Sequence, residues 1–213
     1  QRPLCCGRTF LATGLVDQAR HEAQRTLAAL SDAVARGAVV VGLEPACLLT
    51  MRDEFLVLGL GEAAERLAGR ALLFEEFLAR EHAAGRLQLA LQPLPQRHAL
   101  LHGHCHQQAF DTMGAVRSVL GLVPQLAVTT IEAGCCGMAG AFGYEAEHHA
   151  ISMKMAESRL LPAVRQAGAD TLLVADGTSC RHQIADATQR RAVHVAQVLE
   201  RALADAGQGP VRP

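Results

Sequence analysis

Residues 132–143 read EAGCCGMAGAFG, and residues 2–10 read RPLCCGRTF. The string Cys-Cys-Gly thus occurs twice, at Cys5 and Cys6 and again at Cys135 and Cys136. The pattern downstream of each pair also repeats. After Cys6, the residues Val16, Ala19, Ala23, Leu27, Leu30 and Val34 fall on one face of a helical pattern. Gly37 stands where such a helix would be capped, the β-rich run AVVVGL comes next, and EPAC brings in Cys47. After Cys136 a helical pattern covers roughly Glu145 to Ala167, and Gly168 stops it. The strand TLLVAD comes next, and GTSC brings in Cys180. The intervals Cys6 to Cys47 and Cys136 to Cys180 differ by only three residues. The chain reads as an internal duplication, and that decides the fold class.

The second unit carries a front end as well. HALLHGHCHQQAF (98–110) reads as a strand, a turn bearing Cys105, and a helix from about Gln107 to Leu120. LAVTTIEAG (126–134) reads as the strand that leads into Cys135. The matching front end of the first unit is expected before Gln1, so the chain reads as cut from a longer protein. It also opens on polar QRP, with neither a start Met nor a signal-peptide pattern. Between the units, residues 61–85 are helical by pattern, with Phe74, Phe77 and Leu78 as core candidates, and QPLPQR (92–97) is the best linker. Residues 1–95 form the first unit with its helical extension, and residues 96–213 the second. Alternating strands and helices imply an α/β fold of two pseudo-symmetric halves with mostly parallel sheets. The cysteine loops then sit at the C-terminal ends of strands, facing a shared cleft, where ligands bind in such sheets.

Composition narrows the chemistry. Half of the 213 residues are hydrophobic, enough for a real core in each unit. The net charge is −1 with both signs mixed, and Trp is absent with a single Tyr, so no nucleic-acid or membrane-surface footprint is present. No apolar run reaches the ~20 residues of a membrane span. A cytoplasmic location is expected, with attachment to the inner membrane face left open. The seven cysteines are an odd number in a chain too long for a disulfide-stapled scaffold. Buried cysteines are often only small hydrophobes. Two Cys-Cys-Gly strings at corresponding strand ends point instead to thiolate chemistry, with zinc or an iron–sulfur cluster as the ligand. In the second unit Cys105, Cys135, Cys136 and Cys180 suffice for one site, whose wide spacing lets it form only on a folded sheet. Gly134, Gly137 and Gly140 let backbone approach the metal and offer N–H groups to sulfur.

The strings RPLCCGRTF, GLEPACLLTMRDEF, HGHCHQQAF, CCGMAGAFGYEAEHHAISM and VADGTSCRHQI, taken in order, resemble the cysteine-rich (CCG) domain family. The wording is similar to the C-terminal iron–sulfur region of FAD-linked D-2-hydroxyacid dehydrogenases. These are related to the glycolate oxidase iron–sulfur subunit and to the subunit of heterodisulfide reductase that carries the same cysteine-rich domain. The resemblance runs from Arg2 to about Leu203. It implies an electron-transfer fragment carrying an iron–sulfur cluster, of the [4Fe–4S] type, that passes electrons from flavin to an unidentified acceptor. FAD belongs to a partner flavin domain in the same or another chain, and the fragment is not expected to turn over substrate alone. The family's final Cys-x-x-Cys has Glu44 in place of its first cysteine in one copy and Gly177 in the other. A five-cysteine set is therefore incomplete twice. An ordinary four-thiolate site is expected in the second copy. The first keeps Cys5, Cys6 and Cys47 beside Glu44, and could bind zinc, share a site across the pseudo-twofold axis, or hold nothing.

Two other classes compete: a zinc-binding structural or docking module, and a thiol enzyme with Cys105 or Cys136 as nucleophile and a neighbouring His as base. Neither accounts for the wide duplicated arrangement. His102, His104 and His106 flank Cys105 and read as second-layer hydrogen-bond partners more readily than as ligands. His148 and His149 read as solvent-facing or loop-packing residues. His182 lies near Cys180 in sequence, and His194, on an amphipathic closing helix, is placed to reach the sulfurs. MRDEF (51–55) reads as a solvated helix start. GLGEAAERLAG (59–69) is not a phosphate loop, because it lacks the G-x-G-x-x-G spacing and a preceding strand.

Overall fold

The computed structural model describes residues 3–204. Arg2, where the resemblance begins, and residues 205–213, at the end of the second unit, lie outside them. The first half runs α1 (Arg8–Ala12), α2 (Val16–Ala35), β1 (Val40–Gly42), α3 (Pro45–Arg52), α4 (Glu54–Val57), α5 (Glu62–Ala68), β2 (Ala71–Leu73) and α6 (Phe74–Ala83). The second runs β3 (His98–His102), α7 (Cys105–Ala109), α8 (Met113–Leu120), β4 (Ala127–Thr130), α9 (His149–Ser158), α10 (Leu160–Gln166), β5 (Leu172–Ala175), α11 (Thr178–Thr188) and α12 (Val195–Ala202). Strands β1 and β2 pair in parallel, with Val40 opposite Ala71. The second sheet has the order β4-β3-β5, also parallel, with Leu100 opposite both Thr129 and Leu173. The α/β class and the parallel sheets are those the alternation of elements predicts.

Side-chain alternation explains the layering of the second half. Ala99, Leu101, Leu172 and Val174 face one core, built with α8, α12 and Leu78 of α6. Leu100, Leu173 and Ala175 face the other, built with α9, α10 and α11. A parallel strand buried on both faces reads as a continuous apolar run, as LLVA in β5 does. In the first half, α2 buries Ala19, Ala23, Leu27 and Val34, and Leu27 and Val34 pack with Phe55 and Leu67. Gly37, at φ +92°, ends α2 with N–H bonds from Gly37 to Val34 O and from Ala38 to Ala33 O.

Three elements differ from the sequence pattern. The helix expected over Glu145–Ala167 is two helices, broken at Arg159 (φ −150°). Pro162 is the cause, since it has no N–H to donate to the turn before it. The helix expected over Gln107–Leu120 breaks at Asp111, which takes φ +52°, while Thr112 turns its N–H and hydroxyl back onto Gln107 O. The run 61–85, helical by propensity, contains β2 in its middle. Parallel pairing to β1 overrides the local preference of Ala71-Leu72-Leu73.

Candidate metal centre

Three strand ends converge in the second half. The turn after β3 delivers Cys105 as the first residue of α7. The loop after β4 delivers Cys135 and Cys136, and the turn after β5 delivers Cys180 in the first turn of α11. Cys136 and Cys180 are buried, and Cys105 and Cys135 are half-buried. The four thiols form one hydrogen-bonded chain. Cys135 is drawn down to about 2, first by Cys105 and next by Cys136. Cys180 is held well below the usual thiol range, first by Cys136 and next, against the cost of burial, by His102. Cys105 and Cys136 are pushed up in return, each first by its contact with Cys135. The thiols thus share their protons along one chain, with Cys135 and Cys180 the more readily ionised, as suits a thiolate-binding metal.

The two Cys-Cys-Gly turns share one construction. The Gly137 N–H donates to Cys135 Sγ at 3.3 Å, and the Gly7 N–H donates to Cys5 Sγ at 3.4 Å. Both glycines take positive φ, +91° and +79°. Both press against the helix beyond the turn. A Cβ at 137 would lie 2.1 Å from Ser152 O on α9, and one at 7 would lie 2.9 Å from Ala19 O on α2. The turn at 135–137 is tied further by Gln183, whose Nε2 donates to Cys136 O at 3.1 Å and to Ser152 Oγ at 3.0 Å.

The first half brings Cys6 and Cys47 together, with Cys5 close by. Cys6 is lowered to about 6, first by the Cys47 thiol, while Cys47 is pushed up by the same contact. Glu44 does not complete this set. Its Oε2 accepts from Thr178 N at 2.9 Å and Thr178 Oγ1 at 2.8 Å, so it caps α11 of the other half. Gly177 is accounted for by space. A Cβ there would lie 2.3 Å from His104 Cδ2, and that ring is held because His104 Nδ1 accepts from His106 N at 3.2 Å.

A cleft of about 280 Å³ is walled by Arg8, Leu11 and Ala46 from the first half and by Cys105, Cys135 and Cys136 from the second, whereas Cys5, Cys6 and Cys47 do not line it. Arg8 pairs with Glu54 and reaches His106 Nε2 at 3.0 Å. Burial, with Arg8 next, lowers His106, so its Nε2 accepts that bond. MRDEF is thus not a solvated helix start: Arg52 pairs with Glu76 at 2.6 Å, Glu54 pairs with Arg8, and Phe55 is fully buried. His148 stacks on Phe142 with ring centroids 4.1 Å apart, and His182 meets the Tyr144 hydroxyl at 2.5 Å. His194 is turned to the seam between the halves. Its Nδ1 accepts from Ala196 N at 2.9 Å and its Nε2 donates to Leu43 O at 2.8 Å, with Asp176 and Glu75 beside it. This seam has no counterpart among the sequence expectations. The signal was present as a repeated His-x-x-Gln, since His104 and His194 cap their helices alike, each backbone N–H meeting the Oε1 of the Gln three residues on.

The model of the CCG cysteine-rich domain matches residues 99–185. This stretch belongs to that family. Residues 99–185 include Cys105, Cys135, Cys136 and Cys180. Over a longer span the chain is 30% identical to a subunit of the anaerobic glycerol-3-phosphate dehydrogenase of Escherichia coli K12. That match covers 94% of this chain and 50% of the relative. It is also 30% identical to the D-2-hydroxyglutarate dehydrogenase of the same strain and 28% identical to that of Pseudomonas putida KT2440. Those matches cover 84% and 81% of this chain, and 17% and 16% of the relatives. The chain therefore spans at most half the length of these relatives, all of them dehydrogenases or dehydrogenase subunits. No solved structure matches.

Proposed function

We propose that this chain is the iron–sulfur electron-transfer module of a flavin-dependent dehydrogenase that oxidises a secondary alcohol bearing an acidic group. A 2-hydroxyacid is the substrate class favoured by the sequence resemblance. The observation that carries the reading is the convergence of four sulfurs from three strand ends, two of them buried, beside the buried imidazole of His102. The donor set fits a thiolate-bound cluster, of the [4Fe–4S] type. Bound there, such a cluster supplies one-electron steps between a two-electron flavin and an acceptor. The chain's own residues do the rest. Cys105, Cys135, Cys136 and Cys180 are the ligands. The Gly137 N–H draws charge from Cys135 Sγ, which favours the reduced form. Arg8 and His106, bonded to each other, form one wall of the cleft.

Cys5, Cys6 and Cys47 form a secondary site, one sulfur short of a thiolate set, that takes zinc. The units 1–95 and 96–213 are the two repeats. The flavin domain is the partner, in this or another chain, and the module works in the cytoplasm. No helix among the described residues is long and apolar enough to cross a membrane.

The test is low-temperature EPR with iron and sulfide analysis on anaerobically reconstituted, reduced protein. Cys180→Ala is expected to strip the signal, and Cys47→Ala to keep it. The reverse result would assign the centre to the first repeat and overturn this ligand set. Loss in both folded variants would mean one site shared by the two halves.

A further inference from the structure

His102 ends β3 at 1% exposure, and among the described residues neither ring nitrogen meets a partner at full hydrogen-bond geometry, although the ring lies close enough to the Cys180 thiol to favour its anion. A dry imidazole without such a partner is costly, and buried histidines normally find at least one. A ring nitrogen of His102 lies with the sulfurs of Cys136 and Cys180 in a group whose atoms are all within 4.8 Å of one another, and all three residues are buried. Ligands of one tetrahedral ion sit about 3.5–3.8 Å apart, so this group needs to close by only about 1 Å.

Tautomers separate His102 from its neighbours. A ring nitrogen that accepts a backbone N–H carries no proton, so the proton sits on the other nitrogen and blocks it as a ligand. His104 is in this state, with Nδ1 taken by His106 N. His106 spends its Nε2 on Arg8. His102 alone of the three has neither nitrogen taken by a backbone or arginine donor, and its nearest polar neighbour is a sulfur of the group itself. The cysteine position that Gly177 vacates cannot supply a further donor, because the His104 ring fills it.

We propose that His102 is a direct ligand, through a ring nitrogen, of the metal centre that Cys136 and Cys180 help to hold, and that the centre is a mixed imidazole–thiolate site. The proposal rests on the reading that the second repeat holds a metal. It departs from the four-thiolate set the sequence suggests. Cys105 and Cys135, half-buried at the cleft, become the outer pair of ligands, and the buried inner ligands include a nitrogen.

Two arms test it, both on the full chain. In the first, protein reconstituted with iron and sulfide is reduced and examined by pulsed EPR, unlabelled and with ¹⁵N-histidine. A directly bonded nitrogen gives a strong coupling that changes with the label. The coupling is expected in the parent protein and absent from His102→Cys, which keeps its iron and sulfide. A full iron content without that coupling, or a coupling that survives in His102→Cys, would overturn the proposal and leave the iron–sulfur reading standing. In the second arm, Co²⁺ alone is titrated into the metal-free protein, so that failure to build a cluster leaves the ligand question open to measurement. His102→Ala is expected to weaken Co²⁺ binding by about 100-fold, at or above the range for losing an outer-layer partner, and to shift the visible d–d bands. Unchanged bands and affinity would overturn it.

Discussion

Gly137 carries more of the candidate site than its size suggests. Its positive φ sends its N–H to Cys135 Sγ, and its bare Cα lets the loop touch α9. Gly137→Ala is expected to cost about 3 kcal/mol or more, from φ strain together with a clash against Ser152 O. Gly7→Ala, with a looser contact, should cost less; urea unfolding of the metal-free proteins checks the order. Glu75 yields a pH prediction. It is faced by Asp176, Glu76 and His194, and its carboxyl is pushed up to about 9, by burial first and by Asp176 next. A raised acid binds its proton more tightly folded than unfolded. The stability this gives is full below the ordinary value of 4.5 and is lost as pH rises through about 9. Glu75→Gln removes that dependence, so its unfolding midpoint should match the parent near pH 5 and exceed it near pH 8. Equal pH slopes in the two proteins would contradict the assignment. The sequence displayed the seven cysteines plainly. It could not single out His102 in HGHCH, because what distinguishes that ring is a lack of partners at full hydrogen-bond geometry after folding.

At the scale of elements, helix N-termini place the chemistry. Cys47, Cys105 and Cys180 all lie in the first turn of a helix that comes after a strand, where the dipole favours an anionic sulfur. Glu44 joins two such elements by capping α11 from the residue before α3. Glu44→Ala is expected to lower stability by about 1 kcal/mol, since Thr178 is exposed and water replaces part of the bond. It should also increase hydrogen exchange at Thr178 without affecting metal content. Helix–Gly–strand–cysteine order was readable because apolar periodicity and glycine stops are local. The breaks at Asp111 and Arg159 and the strand β2 were not. A left-handed residue, a proline within an apolar stripe and a three-residue strand leave little periodic trace, and β2 exists through its pairing with β1.

The whole molecule joins a two-stranded parallel sheet to a three-stranded one, each with cysteines at its strand ends. Leu43 O, Glu44 and Arg8 reach from the first half to His194, Thr178 and His106 of the second, so the cleft is held from three sides. As proposed, the chain holds the centre and a partner holds the flavin. Purified alone, it is therefore expected to reduce no dye when given D-2-hydroxyglutarate or glycerol-3-phosphate, and to accept electrons from dithionite. Substrate-dependent dye reduction without added flavoprotein would refute this division of labour. The α/β class and the parallel sheets were legible because strands and helices alternate on local signals, whereas the seam between the two sheets' halves rests on contacts more than 90 residues apart in sequence. The two positions that break the five-cysteine pattern share a further property. Glu44 is engaged as a latch across the halves, and the space beside Gly177 is filled by the His104 ring. Glu44→Cys would release the latch, and Gly177→Cys would collide with the ring. Gly177→Cys is therefore costly unless the His104 ring moves, whereas Glu44→Cys loses only the latch. Positions 44 and 178, and positions 177 and 104, are therefore expected to be coupled pairs, each measurable by a double-mutant cycle.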